Sequence, residues 1–205
     1  MPDLRFGYHG SLGLPHAAVR AGGYALDRVE LVEYDVRDPF APLRAGRVDV
    51  MTSKFDHRQP DLVYSRPIGW DPRAVLVAPD HPLAARAEVS VEDVADHLAF
   101  HRPGHMPEEV WDRIVPPMTP GGKPIRRAFP LTTVPELMRV VASGAGVHLT
   151  VLSIRDVAPP TVRVLPVVDL PPGEVNLVHL PDAPPHVPRF VAAAEAVLAR
   201  VEVAP

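Results

Sequence analysis

Within the first 54 residues, short apolar strands alternate with short helical segments, and that order admits few folds. Leu4 to Tyr8 alternates as a strand and Ser11 to Gly13 turns. Leu14 to Ala21 reads as a helix, with Pro15 near its start, where a missing N–H costs nothing, and Gly22-Gly23 stopping it. Val29 to Tyr34 is a second strand, Pro39 to Ala45 a short helix closed by Gly46, and Val48 to Thr52 a third strand. Strands joined by crossover helices pair in parallel. The expected product is a largely parallel sheet with helices on both faces and a ligand crevice outside the carboxyl ends of its strands.

Leu62 to Arg66 and Ala74 to Ala78 read as further strands, and Pro79-Asp80-His81-Pro82-Leu83 marks a change of direction. Beyond it the alternation restarts, so a second lobe is expected. It should hold a helix at Val91 to Ala95, a strand at Leu98 to His101, a helix at Pro107 to Val115 and a strand at Ile125 to Phe129. Thr133-Val134-Pro135-Glu136 is a Thr-x-x-Glu capping box, followed by Leu137, Met138, Val141 and Ala142 at helical spacing and ended at Ser143-Gly144. Val147 to Thr150, Val162 to Val167 and Glu174 to Leu180 are expected strands. Phe190, Val191, Ala194, Val197, Leu198 and Val201 describe a terminal amphipathic helix. Nine of the 31 residues from 158 to 188 are Pro, read as rigid strand connections because apolar β-rich runs lie between them.

Composition narrows the function classes. With 46% apolar residues the chain is not disordered, and runs such as Ala74 to Ala78 fall far short of the ~20 residues that span a bilayer, so a soluble, cytoplasmic protein is expected. The opening residues show no basic segment followed by an apolar stretch, so no signal peptide is expected. Absence of Cys removes disulfides, thiolate nucleophiles and cysteine-ligated metals. Lys and Arg number 21 against 25 Asp and Glu, a balance that opposes non-specific nucleic-acid binding.

Several constellations have ordinary explanations. His97, His101 and His105 would stack on a helix as metal ligands, but Pro103-Gly104 breaks that helix. On a strand, four residues span roughly 13 Å, too far to share one ion. His9-Gly10-Ser11-Leu12-Gly13 misses the G-x-S-x-G elbow because the residue two before Ser11 is His9. Asp80-His81 reads as a surface turn, Glu108-Glu109 as a first helical turn, and Glu30 and Glu33 as opposite faces of one strand. Three features sit where a crevice belongs. Ser11 follows the first strand, Lys54 lies just past the third, and Thr132 and Thr133 open the capped helix. Each also admits an ordinary role as a helix cap or a solvated lysine, but together they suit a small anionic or polar ligand.

The order of these motifs resembles the effector-binding domain of LysR-type transcriptional regulators, which has the two-lobed type 2 periplasmic-binding-protein fold. The resemblance runs from Leu4-Arg5-Phe6-Gly7-Tyr8 through Leu43-Arg44-Ala45-Gly46-Arg47-Val48-Asp49 and Asp80-His81-Pro82-Leu83-Ala84 to Val140-Val141-Ala142-Ser143-Gly144-Ala145-Gly146-Val147. It implies an α/β protein of two Rossmann-like lobes with a ligand cleft between them, lobe one at residues 1–78 plus 174–205 and lobe two at 79–173. It further implies a ligand-contact set of Ser11, Leu12, Val36, Lys54, His101, Met106, Thr132 and Thr133, with Leu131 as a further wall and no metal, cofactor or catalytic residue. Val36 stands where a small polar residue is frequent in the family. The implied partners are a small-molecule effector and a second copy of the chain, with DNA reached only through a winged helix-turn-helix. In family members that element precedes this domain, whereas here the first strand begins at Leu4. The alternative expectation is a stand-alone domain without DNA binding, recruited as a ligand-binding protein or as an enzyme, for which His9, Asp35, His101 and His105 are the candidate acid–base groups.

Overall fold

Three parallel strands organise the first part of the chain. β1 (Leu4–Tyr8), α1 (Gly13–Ala21), β2 (Val29–Glu33), α2 (Ala41–Arg44) and β3 (Val50–Lys54) follow in order, and β1 lies between β2 and β3, parallel to both, with Phe6 opposite Leu31 and Val50. The third strand starts and ends two residues later than its apolar pattern suggested. Asp49 is held back in the preceding turn, where its carboxylate accepts from the Arg5 backbone N–H (2.8 Å) and Nε (3.2 Å). Two short strands follow, β4 (Val63–Tyr64) and β5 (Gly69–Asp71).

The next elements are β6 (Arg73–Val77), α3 (Val91–Val94), β7 (Ala99–Phe100), α4 (Glu108–Ile114), β8 (Arg127–Phe129), α5 (Val134–Ala142), β9 (His148–Val151) and β10 (Arg163–Pro166). β6 is central in an antiparallel sheet of order β10-β6-β9 and is buried along its whole length, while β7 and β8 form a separate parallel pair. The chain closes with β11 (Gly173–His179) and α6 (His186–Leu198). β11 pairs antiparallel with both β3 and β4, completing a six-stranded sheet of order β2-β1-β3-β11-β4 with β5 alongside β11. The structure describes residues 2–199, and Val201, expected on the terminal helix, lies outside them.

These elements form two compact units. The first holds the chain up to Trp70 and from Glu174 onward; the second is Asp71–Gly173. The change of unit at Trp70 comes before β6, not after it at residue 78 as the Pro79–Leu83 turn suggested. The reason is pairing: β6 finds both its neighbours, β9 and β10, inside the second unit.

The first sheet is covered on both faces. On one, α1 and α6 bury Ala18, Val19, Phe190, Val191 and Ala194 against Leu4, Phe6, Val50 and Leu177; on the other, Phe40 and Leu43 of the α2 region pack against Met51, Leu62 and Val178. Each buried Val, Leu, Met or Phe among them contributes roughly 1.5–3 kcal/mol, so the two layers carry the unit. With its faces closed, the sheet leaves its strand ends for function.

Candidate functional site

The carboxyl ends of β1, β2 and β3 share one edge of the first sheet. Gly10, at φ +72°, turns the chain off β1, and its N–H donates to Glu33 Oε1 (3.3 Å). Ser11 is buried, and its Oγ accepts from the Gly13 N–H (3.1 Å) where α1 begins. The helix N-cap is Leu12, which makes no side-chain cap bond, so Ser11 closes the turn ahead of the helix and does not cap it. Leu12 is half-buried beside it. Lys54 is the last residue of β3 and does not lie past the strand, because β11 extends the pairing and sets Val175 opposite. Immediately after it Phe55 and Asp56 adopt φ +62° and +51°, two successive left-handed residues that are not Gly. Each such residue costs on the order of 1 kcal/mol, and strain of this kind collects at binding sites. Val36 is half-buried in a turn closed by Arg37 N–H to Asp35 Oδ1 (2.9 Å) and Asp38 N–H to the Asp35 carbonyl (3.2 Å). The Arg37 guanidinium holds the Asp35 carboxyl below the usual range.

His9 joins this edge. Its Nδ1 lies 3.1 Å from the Tyr34 carbonyl and 3.9 Å from Glu33 Oε1, and its ring lies 5.7 Å from that of Tyr34. Burial lowers its pKa. The Tyr34 carbonyl and Glu33 oppose that shift, nearby Lys54 reinforces it, and Asp35 opposes it. Tyr34 is itself fixed by its hydroxyl, which donates to the Thr52 carbonyl (3.0 Å). Among the sequence-stated ligand contacts His9 is missing; its place directly after β1 was the available signal.

In the second unit, the parallel pair β7–β8 likewise brings two loops to one edge. His101 continues from β7, its N–H donating to the Phe129 carbonyl (2.8 Å), and Leu131, Thr132 and Thr133 continue from β8. The His101 side chain is exposed, whereas Met106 and Leu131 are buried. A turn carries Met106 N–H to the Pro103 carbonyl (3.1 Å), and the Arg102 guanidinium donates to the Met106 carbonyl (2.9 Å). Thr133 caps α5, its Oγ1 accepting from the Glu136 N–H (3.3 Å), but Glu136 does not return the bond to Thr133. Its carboxylate instead clamps Arg139 Nε (2.9 Å) and Nη2 (2.6 Å). Thr132, Thr133, Glu136 and Arg139 line a concavity of 630 Å³ with Phe129 and Ser143.

The remaining sequence candidates sit apart from these edges. The His97 ring lies 4.3 Å from that of His81, whose Nδ1 accepts from the Leu83 N–H (3.2 Å) and caps a short turn. Glu108 and Glu109 occupy the first turn of α4. Among the described residues no three His, Asp or Glu side chains are grouped to hold a metal.

A buried polar cluster in the second unit was not legible in the sequence. Arg73, only 2% exposed, donates to the carbonyls of Thr150 (3.1 Å), Arg113 (2.8 Å) and Ile114, the last two at the end of α4. Burial pulls its pKa down to about 10. His148 lies against Trp111 and Phe100, and burial, with a smaller effect from Arg73, lowers it to about 3.

The fold has close counterparts among solved structures. The LysR family transcriptional regulator CbnR matches with a TM-score of 0.73 and 18% identity over 95% of this chain and 69% of its own. The effector binding domain of QuiR in complex with shikimate matches at 0.69 and 14% identity, with 98% of each chain covered. The BenM effector binding domain with its effector benzoate matches at 0.68 and 18% identity, over 100% of this chain and 97% of the other. No curated protein matches the sequence. These likenesses show the type 2 periplasmic-binding-protein fold. The family defined as the LysR substrate binding domain matches residues 27–199, and with so much of the 205-residue sequence inside it, the chain belongs to the LysR substrate binding domain family.

Proposed function

We propose that the protein senses a small molecule with an acidic or polar head group and an apolar body, on behalf of a LysR-type transcriptional regulator. One observation supports this most: Ser11 and Lys54 stand at the carboxyl ends of adjacent parallel strands, with a strained turn directly after Lys54. An ammonium and a hydroxyl at such an edge suit an anion, and Leu12 and Val36 supply apolar surface. Taken by itself, the β7–β8 edge of the second unit offers groups of the same kind in His101, Met106, Thr132 and Thr133. Shikimate and benzoate, held by QuiR and BenM, are both carboxylates, which agrees with an acidic head group. No metal or organic cofactor enters this function. A cytoplasmic location is part of the same proposal and rests on the family alone. Separately, no helix among the described residues is long and apolar enough to cross a membrane.

Calorimetric titration of carboxylates against wild type, Ser11→Ala and Lys54→Ala tests this. Loss of a charge-assisted hydrogen bond costs roughly 1.5–3 kcal/mol, so Lys54→Ala should weaken binding about tenfold or more with the fold intact. A carboxylate that binds all three equally removes these residues from the site. Turnover of a titrated compound by wild type would instead place the protein among enzymes.

A further inference from the structure

Among the described residues, His9 is anchored through Nδ1. The Tyr34 carbonyl can only accept, so the Nδ1 it faces at 3.1 Å carries the proton, and Glu33 Oε1, 3.9 Å from the same nitrogen, favours the same tautomer. A neutral imidazole protonated on Nδ1 presents a bare lone pair on Nε2. Burial, reinforced by Lys54, lowers the ring's pKa and so favours the neutral form, against the opposing pull of the Tyr34 carbonyl, Glu33 and Asp35. The strand edge that carries an ammonium on Lys54 and a hydroxyl on Ser11 therefore also carries a hydrogen-bond acceptor.

We infer that His9 Nε2 is a specificity-determining acceptor, selecting a ligand with an O–H or N–H donor beside its anionic group: a hydroxycarboxylate in preference to a plain carboxylate. This deepens the effector-binding function proposed above and rests on it. Lys54 takes the charge and Ser11 serves as donor or acceptor. His9 discriminates, because a carboxylate oxygen set against its lone pair leaves two acceptors facing each other without a proton. A ligand hydroxyl satisfies both sides.

Two measurements test this. Nitrogen-15 NMR of the histidine rings in the whole chain should find His9 protonated on Nδ1 at neutral pH; protonation on Nε2, or on both nitrogens, overturns the assignment. Calorimetry then compares the 2-, 3- and 4-hydroxybenzoates with benzoate, and lactate with propionate. At least one hydroxy acid should bind about fivefold tighter than its unsubstituted partner. His9→Asn keeps an amide N–H for the Tyr34 carbonyl but has no acceptor at the Nε2 position, and should erase that preference. His9→Gln, with an amide oxygen near Nε2, should restore part of it. If hydroxylated and plain acids bind alike and both are lost in Lys54→Ala, His9 has no such role while the effector site stands. If none of these acids binds, both fall.

Discussion

Gly22 shows how a single residue serves a purpose its sequence context does not reveal. In sequence, Gly22-Gly23 is a helix stop, and Gly23, at φ +84°, does end α1 in the left-handed region. Gly22 has an ordinary φ but no room: a Cβ there would lie 2.2 Å from the Phe190 ring. That ring is wedged edge-on against Phe6 and Tyr24, so it cannot move aside. Gly22→Ala should therefore destabilise the protein by about 1–3 kcal/mol, read as a lower urea midpoint, whereas a cost near zero would show that α6 shifts freely. His148 is the second such residue. Its folded pKa, about 3, lies below the unfolded value near 6.5. The neutral form is the folded one, so its contribution is full above about pH 6.5 and is lost as pH falls toward 3, by up to about 1.4 kcal/mol per unit. His148→Leu should flatten that part of the stability profile in denaturation series from pH 7 to 4. An unchanged slope would assign the acid sensitivity elsewhere.

Capping, at the scale of the elements, separates α3 from α5. The Thr133–Glu136 box forms by halves, because Arg139, one turn on, offers Glu136 a bidentate partner that outcompetes one backbone N–H. Ser90 and Asp93 complete a reciprocal box at α3 instead, with Ser90 Oγ accepting from the Glu92 N–H (3.0 Å) and Asp93 Oδ2 from the Ser90 N–H (3.2 Å). Asp169 adds an acceptor for the Val91 N–H (2.8 Å) and for the Ser90 hydroxyl. Ser90→Ala should thus cost about 1–2 kcal/mol and exceed the cost of Thr133→Ala at its exposed site, with m-values unchanged. The reverse order would mean that the box contributes less than the open cap.

For the whole molecule, the expectation of a paired assembly rests on the general prevalence of two-fold dimers among soluble oligomers, and the net charge of −4 disfavours phosphate contacts. The 205-residue chain should therefore dimerise in light scattering and leave duplex DNA unshifted at physiological salt. Persistence of monomer at high concentration would overturn the first expectation, and nanomolar binding of an operator fragment the second.

Local chemistry in the sequence determined much of this protein. Strand β1, helices α1 and α5, the turn at Ser11 and the loop at Thr132-Thr133 were legible because periodicity, Pro and Gly placement and cap residues act within a few positions. Tertiary structure decided what depends on distant partners. Lys54 entered β3 because Val175, more than a hundred residues away, pairs with it. β6 joined the second unit because β9 and β10 flank it there. Arg73 and His148 became a buried polar pair, and His9 received its tautomer from a carbonyl on the neighbouring strand's exit. Pairing register, burial and proton placement are set by atoms brought together only on folding, and no window of sequence contains them.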